Sequence, residues 1–198
     1  MDIELTRRGA CSLGLTVAGG VLGIGALGFG VSRASATGLP AMRYVVTDRR
    51  HVQSLEFAAV LIRQGVPPLE VTAGLTRLWR EALLPLWQEK GGAVAGLTER
   101  GTWDCIAEQA RSAMRKPILV AHHAVAADGA AAHRMSAPSG ALRSAGALEL
   151  CGRDWPQAMA QLATRCATEE RIQAGEAYRS PTLASPPPSL ALVSWIIA

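Results

Sequence analysis

The sequence predicts an α/β fold, and three observations carry that prediction. Between residues 42 and 123, short apolar runs rich in β-branched residues alternate with segments of helical periodicity. The runs are apolar throughout, as strands covered on both faces are. The alternation itself, strand then helix then strand, favours a sheet with crossover helices. Right-handed crossovers then give a Rossmann-like, doubly wound, mostly parallel sheet, with a β-α-β-α-β-α-β core over 42–123.

The elements follow in order. "MRYVVTD" reads as a buried strand, and "HVQSLEFAAVLIRQG" as a helix with Val52, Leu55, Ala58, Ala59 and Ile62 on its inner face. Gly65 closes that helix. "PPLEVTAG" supplies a second short strand. The clearest periodicity is Leu75, Leu78, Trp79, Ala82, Leu83, Leu86 and Trp87, and Pro85 predicts a kink near Leu84 because it lacks an N–H and clashes with the preceding turn. "GAVAGLT" is a third strand. "TWDCIAEQARSAMRK" is a third helix, with Thr102 as its N-cap and Trp103, Ile106, Ala107, Ala110 and Met114 inward. Cys105 on that helix reads as a small buried residue. Pro117 stops the helix, and "ILVAHH" is a fourth strand ending at His122 and His123.

Residues 124–198 form a looser C-terminal part. "AVAADGAAAHRMSAPSGALRSAG" predicts a loop or loose hairpin, and "GALELCG" a short strand. "DWPQAMAQLATRCATEERI" predicts a helix with Asp154 as N-cap and Pro156 in its first turn, where proline is tolerated. After the linker "SPTLASPPPS", the apolar "LALVSWIIA" is too short to span a membrane as a helix and predicts a final strand, returning to the main sheet or to a small accessory one.

The N-terminus has a different character. Residues 9–32 carry no charge, follow Arg7-Arg8, and end in Ala34-Ser35-Ala36, a small-x-small pattern with a cut before Thr37. Eight glycines weaken this run as a packed helix. Thr6-Arg7-Arg8, the weakly apolar core and Arg33 resemble a twin-arginine export signal, although Ala10 stands where such signals carry a large apolar residue. The resemblance implies a signal peptide over 1–36, a periplasmic α/β domain over 37–198, and export in the folded state. An uncleaved signal would instead tether the domain to the membrane.

Composition narrows the classes of function. Net charge is +4, and residues 1–36 hold three arginines against Asp2 and Glu4, which leaves +3 on the remainder. That balance lacks the dense basic stripe of a nucleic-acid binder. Beyond the signal, Cys105, Cys151 and Cys166 match no zinc spacing, and a Cys151–Cys166 bridge is open in an oxidising compartment.

In open parallel sheets ligands bind outside the carboxyl ends of the strands. That rule selects Thr47, Asp48, Arg49, Thr98, Arg100 and His122 as ligand-binding candidates, with Arg50, His51 and Glu99 beside them. Arginines near helix N-termini suit an anionic group, whereas pairing with Asp48 and Glu99 would occupy them. Neither a G-x-G-x-x-G turn, nor a phosphate loop, nor a G-x-S-x-G elbow is present, so neither a catalytic residue nor a cofactor is assigned. Adjacent strand residues face opposite ways, so His122 and His123 should not share a metal ion. Two readings follow: an accessory domain that binds a partner, an exported redox or cofactor-bearing protein, or an enzyme or small-molecule binder using the polar rim for an anionic substrate. Nucleic acid is not an expected partner, and membrane contact is expected only through an uncleaved signal.

Overall fold

A computed structural model describes residues 41–89, 91–166, 177–179 and 190–198. The proposed signal, the cleavage site and most of the linker before the last strand lie outside these residues. The fold is α/β, with an open seven-stranded sheet in the order β2-β1-β3-β7-β4-β5-β6. The strands are β1 Met42–Thr47, β2 Pro68–Glu70, β3 Ala93–Glu99, β4 Pro117–Val125, β5 Ala131–Ser136, β6 Ala177–Arg179 and β7 Leu190–Ile197.

The sheet is mixed rather than mostly parallel. β1 pairs parallel with β2 and β3, while the pairings of β7 with β3 and β4, and of β5 with β4 and β6, are antiparallel. The cause is the last strand. It enters the middle of the sheet between β3 and β4, running opposite to both, and separates two strands that the alternating pattern would have placed side by side. Its alternate residues pack on opposite faces, with Leu192 and Ile196 on one and Val193, Trp195 and Ile197 on the other. A central strand buried on both sides must be apolar throughout, which accounts for "LALVSWIIA".

Helices cover both faces. α1 (Val52–Arg63) and α7 (Trp155–Cys166) pack together on one side, where Phe57, Leu61, Met159 and Leu162 meet Val45, Leu97, Leu119 and Leu192. On the other side, α4 (Arg100–Ser112) and the 75–88 segment set Leu83, Trp87, Trp103 and Ile106 against Val46, Val94 and Trp195. Two short helices, α5 (Ser139–Arg143) and α6 (Gly146–Leu150), lead into α7.

The 75–88 segment stays helical through the proline. α2 (Leu75–Leu78) passes into a π turn at Trp79–Leu83 and then into α3 (Leu84–Gln88). Pro85 has no N–H for the ordinary ladder, and a widened turn, closed by Leu84 N–H to the Trp79 carbonyl, accommodates that loss next to Leu84, where a kink is expected.

Several local expectations change. α1 turns Ser54, Phe57, Ala58 and Leu61 inward, leaving Val52, Leu55 and Ile62 exposed. The helix is apolar around much of its circumference, so periodicity alone did not select the buried face. "GALELCG" forms α6 instead of a strand. Of the loop or hairpin expected after His123, the structure forms the hairpin, β4–β5, its turn held by Ala126 N–H to the Ala130 carbonyl and Gly129 N–H to the Ala126 carbonyl, so β4 runs on past His123. Thr102 sits inside α4 and makes no cap, because the helix begins at Arg100. Cys105 and Met114 face solvent. Cys151 and Cys166 are both buried and no bridge joins them, and the Cys151 thiol donates to the Ala147 carbonyl.

Candidate functional site

Two polar clusters stand out, and they differ in access. The first lies where β1 and β3 end side by side. The helix after β1, α1, packs on one face, and the helix after β3, α4, packs on the other. Adjacent parallel strands whose helices diverge in this way open a crevice at their carboxyl ends. Both helices start there without a side-chain cap, so their first-turn N–H groups meet neither Ser, Thr nor Asp oxygens.

Asp48 anchors this rim. It is fully buried, and its backbone N–H donates to Ser54 Oγ at 2.9 Å. Its carboxylate accepts from the Arg50 backbone N–H at 3.1 Å, Arg50 Nε at 2.9 Å and Arg50 Nη2 at 2.6 Å. Burial alone would raise this carboxyl, but the Arg50 hydrogen bonds and the charges of Arg50 and His51 outweigh it and hold Asp48 below its ordinary value of 3.8. Glu99 completes the cluster, with Oε1 2.9 Å from His51 Nε2 and Oε2 3.4 Å from Arg50 Nη2. The result is an imidazole held between two carboxylates, beside a two-pronged guanidinium clamp.

Asp48→Asn keeps the shape and removes the charge. Arg50 is half-exposed, so solvent screens part of the loss, and we expect about 1–2 kcal/mol of destabilisation at pH 7. A carboxyl held low stabilises the fold above its unfolded value and loses that contribution as pH falls through its folded one. Urea midpoints of wild type and variant should therefore differ at pH 7 and converge below about pH 4. An equal gap at both would show that the charge is not what Asp48 contributes.

The remaining candidates divide. Thr47 is buried and donates to the Leu69 carbonyl, tying β1 to β2. Arg49 pairs with Glu70 at 3.0 Å, and Arg100 pairs with Asp104 at 3.7 Å along α4. The arginines are thus paired, though not with the partners expected except for Arg50. Thr98 is sealed in the core, where its hydroxyl accepts from Trp195 Nε1 at 3.2 Å. His122 lies on β4, separated from β1 by β3 and β7, and stands apart from the rim. The structure therefore joins Asp48 with Arg50, His51 and Glu99, and leaves Thr98 and His122 elsewhere.

The second cluster was not anticipated. His123 and His133 face each other across β4 and β5, Nδ1 to Nδ1 at 2.7 Å, and His123 Nε2 lies 2.8 Å from Ser194 Oγ on β7. His123 stacks on Trp155 of α7, with ring centroids 4.3 Å apart. A serine hydroxyl beside an imidazole has the form of an activated nucleophile. Here Ser194 has 0% exposure and His123 1%, so no substrate reaches either, and the cluster ties three strands and α7 together. One sequence signal existed: Ser194 is the lone hydroxyl in an otherwise apolar strand.

In comparison with known proteins, no family model, curated protein or solved structure matches the chain. Among the described residues there is no group of three or more His, Cys, Asp or Glu placed to hold a metal ion. Among them, too, no helix is long and apolar enough to cross a membrane.

Proposed function

We propose that residues 37–198 form an exported accessory domain, carried to the periplasm by the twin-arginine route, that binds a partner protein through α1. The observation that supports this is the outward face of that helix. Val52, Leu55 and Ile62 are 60%, 42% and 43% exposed, and with half-buried Ala59 they make one aliphatic stripe along three turns. Contiguous exposed aliphatics mark interaction surfaces. Three side chains offer far less than the roughly 800 Å² per partner of a stable dimer. A patch this small suits a transient contact, and the occupant proposed for it is one apolar helix face of an exported cofactor-bearing protein.

The test is a photo-crosslinking residue at position 55 of the full chain, expressed in cells that export it. One discrete adduct to an exported cofactor protein, lost on Ile62→Asp with an unchanged circular dichroism spectrum, is the expected result. No adduct, or adducts only between copies of the chain, would overturn the reading.

A second reading rests on the β1/β3 crevice. Where β1 and β3 end, two uncapped helix N-termini converge beside Arg50 and His51, an arrangement that suits the anionic end of a small substrate. It predicts that inorganic phosphate or a small dicarboxylate raises the melting temperature, and that Arg50→Ala removes the shift. No shift with wild type would remove this reading.

A further inference from the structure

The ion pairs at the ends of β1, β2 and β3 differ in what they join. Arg49 pairs with Glu70 and ties the end of β1 to β2. Arg100 pairs with Asp104 inside α4. Glu99 does something else. It is the last residue of β3, directly before α4, and makes no cap on that helix. Its carboxylate reaches instead to the residues directly before α1: Oε1 accepts from His51 Nε2 at 2.9 Å, and Oε2 stands 3.4 Å from Arg50 Nη2. Among the described residues, Glu99 is thus the carboxylate that bars the β1/β3 crevice from one side to the other.

The two carboxylates that share Arg50 are held very differently. Asp48 is fully buried and takes Nε, Nη2 and the backbone N–H of Arg50, so it cannot leave without stranding a buried charge. The Glu99 side chain is 40% exposed. It accepts one hydrogen bond of ordinary length, from His51, and its contact with Arg50 is longer than a formed hydrogen bond. Exposed pairs of this kind contribute little to stability, and water can solvate the carboxylate once it turns outward. Among the described residues nothing else bonds the Arg50 guanidinium, which is half-exposed. Glu99 therefore holds the place facing Arg50 and His51 loosely, and with a single negative charge.

We infer that Glu99 is a tethered competitor at this crevice: its carboxylate fills the place of a ligand's anionic end, and only a ligand ending in a dianion displaces it. This rests on the reading of the crevice as a site for an anionic end, and adds the class of ligand and the way the site is kept shut. A free monocarboxylate carries the same charge as Glu99 and lacks its tether, so it competes at a large disadvantage in effective concentration. A phosphate or compact dicarboxylate brings a second charge and further acceptor oxygens to Arg50 and His51. Glu99 then swings into solvent, while Asp48 keeps its hold on Arg50 and the fork stays oriented.

The probes are inorganic phosphate and acetate, titrated at pH 8 into the full chain at constant ionic strength, with the melting temperature as readout. Phosphate should shift wild type, and the same shift in Glu99→Ala and Glu99→Gln should need a concentration roughly fivefold lower. Glu99→Gln nearly keeps the side-chain shape, so it carries the comparison if Glu99→Ala folds poorly. Glu89→Gln removes the same charge from an exposed position before the other end of β3, and should behave as wild type. Acetate should shift the Glu99 variants and leave wild type where it is. A phosphate shift in wild type that neither Glu99 variant reaches at lower concentration overturns the inference and leaves the crevice reading standing. Acetate acting equally on wild type and variants, or on none of them, overturns the selection for a dianion. No phosphate shift in wild type removes the crevice reading itself, and this inference with it.

Discussion

Trp195→Ala should destabilise the protein by about 3–5 kcal/mol, the usual loss when a large buried aromatic is truncated to alanine. Trp195 has 0% exposure at the centre of the sheet. Its ring lies against Trp103 of α4 with centroids 5.7 Å apart, and its Nε1–H donates to Thr98. The truncation therefore opens a cavity and strands a buried hydroxyl in one step. Gly96 stands directly opposite Trp195 in register, and a Cβ there would lie 2.4 Å from the indole, so the indole occupies the space that only glycine leaves. Gly96→Ala alone should cost about 1–3 kcal/mol through overpacking. In the Trp195→Ala background that space is free, so the double variant should be more stable than the sum of the single losses. Urea unfolding of all four proteins at pH 7 measures this cycle, and strict additivity would refute the close approach.

Acid should unfold the protein through its buried histidines. Burial is the largest cause for both. It pushes His133 down to about 4, and for His123 it adds to the repulsion of His133 and His122 to hold the imidazole well below its ordinary value. The rings meet through a single proton between the two Nδ1 atoms, and a second would set two cations against each other. The unfolded chain takes up protons near pH 6.5, where the folded chain does not. Stability is therefore complete above that pH and falls as pH drops toward 4. At pH 4.5 His133 alone accounts for about 2.5 kcal/mol of loss. Two carboxylates oppose the trend: the Glu149 charge favours protonated His133, and Glu56, raised by burial, takes up its proton more readily in the folded state. Urea midpoints between pH 7.5 and 4.5 should fall in wild type and flatten in His123→Gln/His133→Gln. The same slope in both would place the acid sensitivity elsewhere.

The rim and the buried cluster show how far a single sequence reaches. Asp48, Arg49 and Arg100 were legible as strand-end residues because polar groups that follow an apolar run mark a carboxyl end. Which groups join was not legible. His51 meets Glu99 across 48 positions of chain, and only the parallel pairing of β1 with β3 brings them together. His133 looked like one residue in a loose, alanine-rich stretch, and its meaning appeared only when β5 paired with β4.

By itself, the sequence determined the α/β class, the strands and helices of residues 42–123, and the strand character of the last eight or so residues. These follow from local apolar patterning, which needs no partner to be read. Only the tertiary structure decided that β7 enters the middle of the sheet, that α1 turns Val52, Leu55 and Ile62 outward, and that Pro85 is absorbed by a π turn. Each of those outcomes is a competition between alternatives with similar local preference. The helix α1 could bury either of two apolar faces, and the last strand could pair at an edge or at the centre. Packing against distant residues chose between them: Phe57 and Leu61 gained α7, and Trp195 gained the space above Gly96.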